Sequence, residues 1–218
     1  MAKMQDFNQR MFFLVISIFI NAASNSLAIA SNLGSAVWTG SGVNLSAWTG
    51  IPLGTAMFIY GVAVTILNQF LLGHFDRRRF VSNIMYTIPF SYLVEWTGYI
   101  WQFLGVSQLE LIPRLILDIV GLFGVAAAVS IYSRSNLIMH PNDDLAYIIR
   151  FKYAHGNAVS AQWLSYIPPV TIIILTYIFT GTVHAIGFGT VWAIVTQGAV
   201  MKWSDSHVFP SLKHHVDL

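Results

Sequence analysis

Long apolar runs interrupted by short polar turns dominate the chain, and their lengths match membrane-crossing helices of about 20 residues. The first run, Arg10 to Gly34, is followed by runs at about Pro52 to Leu72, Phe80 to Phe103, Ile112 to Tyr132, Val159 to Thr180 and Val183 to Trp203. Six spans follow from this count. Pro52 suits a first helical turn, Pro89 removes a backbone donor in mid-helix and predicts a kink, and the doubled Pro168-Pro169 predicts a break. The segment Gly34 to Gly50, GSAVWTGSGVNLSAWTG, is too rich in Gly, Ser and Thr for a helix in lipid and is expected to be irregular. Two readings of it are open: an interfacial loop anchored by Trp38 and Trp48, or a lid or re-entrant loop over a polar cavity.

The first run returns in ungapped register 104 positions later, at Arg114 to Ile138. Arg10 matches Arg114, Phe19 matches Phe123, Ala22-Ala23 matches Ala126-Ala127, Ser26 matches Ser130, and Ser31-Asn32-Leu33 matches Ser135-Asn136-Leu137. Such self-similarity predicts an internal duplication, with repeat one at about 10–104 and repeat two at about 112–203 of a single membrane domain over 1–218. With three spans in each half, the second half lies upside down relative to the first. Inverted repeats of this kind are one basis of transport, with substrate bound between the halves.

Composition supports the membrane class: 56% of residues are hydrophobic and only 9% charged, too few to cover a water-exposed surface. Six spans place ten of the eleven Lys and Arg residues on one side, with only Arg114 on the other, which predicts cytoplasmic termini in a plasma membrane. The polar start with Lys3 and Arg10 followed by Ala28-Ile29-Ala30 resembles a cleavable leader, but the internal twin of this stretch argues that it is retained as the first helix. A net charge of +2 gives no footing for nucleic acid, and without cysteine there is no thiol chemistry, disulfide or thiolate metal site.

No phosphate-binding glycine loop, metalloprotease helix or nucleophile elbow is present, so no enzyme activity, metal or cofactor is expected. The tail Lys213, His214 and His215 reads as solvated. What remains is polarity inside the spans. Glu95, Tyr99 and Gln102 form a stripe on the third helix, open to a ligand-facing role or to an interhelical network. Asp118 has two readings: a functional charge within the bilayer, or an expected structural pair with Arg114 one turn away. Ala22, Ser26 and Ala30, four apart, form a small-residue face suited to close helix packing, either within this bundle or against a separate subunit. Asn21 and Asn25 add an adjacent polar stripe.

The motifs SNLGSAVWTG, TGIPLGT, SNLIMHPNDD and GFGTVWAIVTQG resemble those of the YczE/YitT-like bacterial membrane proteins, over about residues 15–203. Val37 and Ile138 depart from that pattern. The overall plan also resembles the substrate-binding S component of energy-coupling factor vitamin transporters. That resemblance implies uptake of a vitamin-like solute such as pantothenate, with a transmembrane coupling subunit and ATPases as partners. The expected ligand-facing set is Asn25, Trp38, Trp48, Glu95, Tyr99, Gln102 and Gln197, and the expected partner-helix face is Ala22, Ser26 and Ala30. Two rivals stand beside it: a self-contained transporter alternating between its inverted halves, and a non-transport scaffold.

Overall fold

The computed structural model describes residues 2–212, with side chains from Asp6 onward. The tail Lys213, His214 and His215, and the side chain of Lys3, lie outside the described residues. Within them the chain is all helix and turn, without strands. Long α1 (Ala2–Ser31) is followed by short α2 (Val37–Thr49), then α3 (Leu53–Leu72) and α4 (Arg77–Phe103). A 3-10 turn at Val106–Gln108 leads to α5 (Leu111–Ser135), short α6 (Pro141–Ile148) with a π-helical turn at Ile149–Tyr153, α7 (Ala158–Ser165), α8 (Ile167–Thr180) and α9 (Phe188–His207).

Among the described residues, four segments are long and apolar enough to cross a membrane: Asp6–Ser31, Leu53–Leu72, Leu111–Ser135 and Ala158–Thr180, the last made of α7 and α8 together. α4 and α9 have the length, but α4 carries three arginines and Glu95, and α9 carries Gln197, Lys202 and Asp205. Many large apolar side chains face outward, among them Phe70, Val120, Ile178 and Val195. Water would reject such a surface, and with the four apolar helices it marks a membrane protein.

α1 and α5 form the central pair, running antiparallel. Gly121 permits the close approach, since a β-carbon there would stand 2.8 Å from the Ser24 carbonyl oxygen. Each helix ends in an asparagine in the left-handed region, Asn32 (φ 56°) and Asn136 (φ 48°), which asparagine tolerates better than most residues. Each end is held by an arginine of the other helix. Arg114 donates to the Ser31 carbonyl at 2.8 Å and the Asn32 carbonyl at 3.3 Å. Arg10 donates to the Ser135 carbonyl at 2.6 Å and the Asn136 carbonyl at 2.9 Å. Cations there satisfy C-terminal carbonyls that have no partner within their own helix. The expected Arg114–Asp118 pair does not form. The guanidinium is committed to the end of α1, and Asp118 accepts from Ser31 Oγ at 3.0 Å, packed against the N-terminal turn of α9 beside Gly189.

Other elements repeat the cross-connection. α4 packs on α1 and α9 on α5, while α2 packs on α8 and α6 on α3. The Ser35 N–H donates to the Ala185 carbonyl at 2.9 Å, and the Met139 N–H, 104 positions on, donates to Ser82 Oγ at 3.0 Å. Trp48 stacks on Phe179 near the end of α8; Lys152, again 104 positions on, donates to the Leu71 and Leu72 carbonyls at the end of α3.

Gly34 to Gly50 corrects the sequence expectation of irregular backbone: thirteen of its residues form α2. Its small residues are what the packing requires. A β-carbon at Gly40 would stand 3.1 Å from the Ala185 carbonyl oxygen, and one at Gly42 would stand 2.9 Å from Met57 Cγ. The break at Pro168-Pro169 is present: α7 stops at Ser165, and α8 starts at Ile167 with the prolines in its first turn, where missing N–H groups cost nothing. Pro89 does not interrupt α4.

Candidate functional site

The chain doubles back after α1. Thr39 Oγ1 donates to Asn25 Oδ1 at 2.5 Å, and Asn25 lies seven residues before Asn32, about 10 Å back along α1 at 1.5 Å per residue. α2 therefore begins inside the bundle and climbs back toward the start of α3. On the other side, α6 begins beside His140, whose ring packs edge-on to Tyr86 and Phe90 of mid-α4. Two short helices thus start in the interior, from opposite ends of the bundle.

Between them lies a cavity of about 480 Å³. Its walls include positions 104 apart in the chain: Asn21 and Val125, Asn25 and Val129, Trp38 and Asn142, Thr39 and Asp143, Phe90 and Ile194, Ser91 and Val195. The pairing is in position but not in chemistry. α1 and α2 supply a hydrogen-bonded chain from Thr39 through Asn25 to Asn21, at 2.8 Å between the amides, and on to the Tyr86 hydroxyl at 2.8 Å. Their counterparts on α5 are valines.

The two helix starts also differ. α2 has neither a side-chain cap nor an acidic residue in its first turn. α6 is capped by His140 Nδ1, which accepts from the Asn142 N–H at 3.2 Å, and carries Asp143 and Asp144 in its first turn. Asp143 accepts a hydrogen bond from the Tyr132 hydroxyl. Burial, and then the charge of Asp144, push its carboxyl up to about 7. Burial pushes His140 down to about 3, so its imidazole is neutral and free to accept. Asp144 itself is held by Arg79 at 2.6 Å and by the Asn83 amide at 3.1 Å. Three polar atoms on residues of the cavity wall, the Tyr60 hydroxyl, Ser91 Oγ and Asn142 Oδ1, have no hydrogen-bond partner.

Of the expected ligand-facing residues, the structure brings Asn25, Trp38 and Gln197 together on this wall. It places the other four elsewhere. Glu95 accepts from the Gly54 N–H at 3.0 Å, serving as a cap for α3, and from the Tyr99 hydroxyl at 2.9 Å. Tyr99 and Gln102 are exposed, and Trp48 is engaged with Phe179. The small-residue face meets this chain's own α4: Ser26 Oγ lies 2.7 Å from Thr97 Oγ1 and accepts from the Trp101 indole at 3.0 Å, and Ala22 packs with Tyr86, Phe90 and Val94. Ala30 is half-buried. His140, Asn142 and Asp143 were not among the expected residues, since they sit in 139–156, the most polar internal stretch of the sequence, between two apolar runs. The signal was present, since a shift of 104 lays residues 141–153 onto α2.

Among the described residues there is no cluster of metal-ligating side chains. The chain belongs to a family of unknown function, DUF6198, whose model matches residues 8–206. No curated protein and no solved structure matches it.

Proposed function

We propose that the chain is a self-contained transporter of a small solute, six spans arranged as two inverted halves, with the cavity between α2 and α6 as its binding site. One observation carries this reading: the cavity wall is built from positions 104 residues apart, so the two halves contribute equivalent places to one site. Short helices that start at cavity depth suit the same role, because irregular backbone within a membrane survives only where protein or water satisfies it. In this reading Asn21, Asn25 and Thr39 bind polar groups of the solute. Access alternates as α2 with α8, and α6 with α3, rock about the α1–α5 pair. The basic ends gathered around Arg10, Arg79 and Lys152 then face the cytoplasm, as do both termini.

This form draws more support from the geometry than a vitamin-binding S component does. The small-residue face that would meet a coupling subunit is occupied by α4. The outer segment that would cap a vitamin is a helix wedged between α3 and α8.

The absence of cysteine makes the test direct. Single cysteines at Trp38 and Ser91, in protein reconstituted in liposomes without any ATPase, are expected to react with membrane-impermeant thiol reagents from both aqueous faces. Reaction from neither face would refute a transport cavity, and reaction from one face only would refute alternation.

A further inference from the structure

The two halves close differently around the cavity. α3 and α4 zip together along their length because small residues allow it: a β-carbon on Gly61 would stand 2.5 Å from Thr87 Cγ2, and Glu95 reaches the N–H of Gly54. In the second half the equivalent positions are Ser165, Val191, Ala158 and Ala199. There α7 and α8 do not pack along α9 as α3 packs along α4. The result is a cleft on the lipid-facing side. Val159, Trp163 and Val195 line the cavity and are nevertheless 68%, 62% and 75% exposed. Ser91, the counterpart of Val195, is 1% exposed, and its hydroxyl has no partner.

A mouth between α7 and α9, where Val159, Trp163 and Val195 stand beside Gln162 and Gln197, therefore leads to a buried polar end. At that end the uncapped start of α2 presents N–H groups and the positive end of its dipole, a setting that favours a negatively charged oxygen. The buried, unpartnered Ser91 hydroxyl on the wall of the same cavity is a second donor. The start of α6 does not compete for an anion, because Asp143 and Asp144 occupy its first turn.

We propose that the cavity takes a single-tailed amphiphile with a carboxylate head, entering sideways from the bilayer between α7 and α9, its head at Ser91 and the start of α2. This rests on the transport reading above and names its substrate class.

Gly198 supplies a clean perturbation. It lines the cavity, and a β-carbon built there meets nothing within 4 Å. Gly198→Leu therefore adds bulk at the cavity wall from a position with open space around it, and leucine favours a helix over glycine. The probe is a terminally brominated dodecanoate, read by quenching of tryptophan emission in the full chain in nanodiscs, with the Trp38→Phe, Trp163→Phe double variant identifying the share that comes from the cavity wall. Unlabelled decanoate, decanol and decyltrimethylammonium serve as competitors, and the melting temperature of each variant serves as a check on folding.

Quenching is expected to saturate, to be competed by decanoate at least tenfold better than by decanol or the ammonium, and to weaken at least tenfold in Gly198→Leu. Ser91→Ala should weaken decanoate about fivefold and leave decanol within twofold. Quenching that does not saturate, or that Gly198→Leu leaves unchanged, is partition into lipid and overturns the proposal. Equal competition by decanol, or preference for the ammonium, overturns the carboxylate head. Disulfide linkage of Val195→Cys between two copies in the membrane would make the cleft a seam between protomers and overturn sideways entry. If the thiol labelling from both faces succeeds while the probe fails to bind, the transporter stands and its substrate is water-borne. If labelling fails, the transport reading itself falls.

Discussion

Removal of either end-capping arginine tests the central pair. Arg10 and Arg114 each donate to two carbonyls at the far end of the partner helix. A hydrogen bond from a charged donor contributes about 1.5–3 kcal/mol when partly buried, and less when exposed. In each pair one bond is partly buried and one exposed, so each arginine is worth about 2 kcal/mol. The additional Asp6–Arg10 contact at 3.8 Å, with Asp6 half exposed, adds little. Arg10→Ala and Arg114→Ala should then each cost about 2 kcal/mol in reversible unfolding in detergent, and Arg→Lys should recover part of it, since an ammonium lacks the fork that spans two carbonyls. The two sites lie at opposite ends of a helix of this length, roughly 30 Å apart, so the double variant should be additive to within about 0.5 kcal/mol. A loss below about 0.5 kcal/mol for one arginine with the full loss for the other would refute equivalent roles. Strong non-additivity would refute two independent clamps.

Three further outcomes follow from particular contacts. Gly61→Val should destabilise the chain by about 1–3 kcal/mol, because α3 can accept the added carbons only by moving away from Thr87, whereas Gly198→Val should leave thermal stability within about 0.5 kcal/mol. Asp143 has a carboxyl raised to about 7, so its stabilising contribution is full below the usual carboxylate range and is lost as pH rises through about 7. Melting temperature should therefore fall between pH 5 and 8, and Asp143→Asn should flatten that fall; an unchanged slope would remove Asp143 as its source. Glu95→Gln should lower stability by about 1 kcal/mol and leave probe binding unchanged, because Glu95 caps α3 away from the cavity.

Much of the plan was legible in the chain. The matched runs at Arg10 and Arg114 pointed to helices that the structure lays antiparallel, and the apolar lengths located α3, α5 and the α7–α8 segment to within a few residues, whereas α1 starts eight residues before the first run, at Ala2. α2 was not legible, because Gly40, Ser41 and Gly42 read as helix-breaking until their neighbours are known. Tertiary packing overrides propensity there, filling the space those glycines leave with Ile186 and Met57. Glu95 was ambiguous for a related reason: its acceptor role is fixed by an N–H forty-one positions earlier, on a helix whose contact no local spacing reveals. The cavity wall was half legible. Asn25, Trp38 and Gln197 were visible as polar or aromatic groups near apolar runs, whereas Asp143 lies in the polar stretch 139–156 between two such runs.

The clamps on α1 and α5 also limit how the molecule can deform. Each arginine reads the end of the other helix, so sliding the pair by one residue in either direction would pull both guanidinium groups off their carbonyls together. The pair is gauged for length at both ends, like a spindle held between two bearings: translation along the shared axis is blocked and rotation about it is not. A movement that turns the outer helices around this spindle leaves both clamps in place, whereas one that stretched or shortened the pair would have to break them.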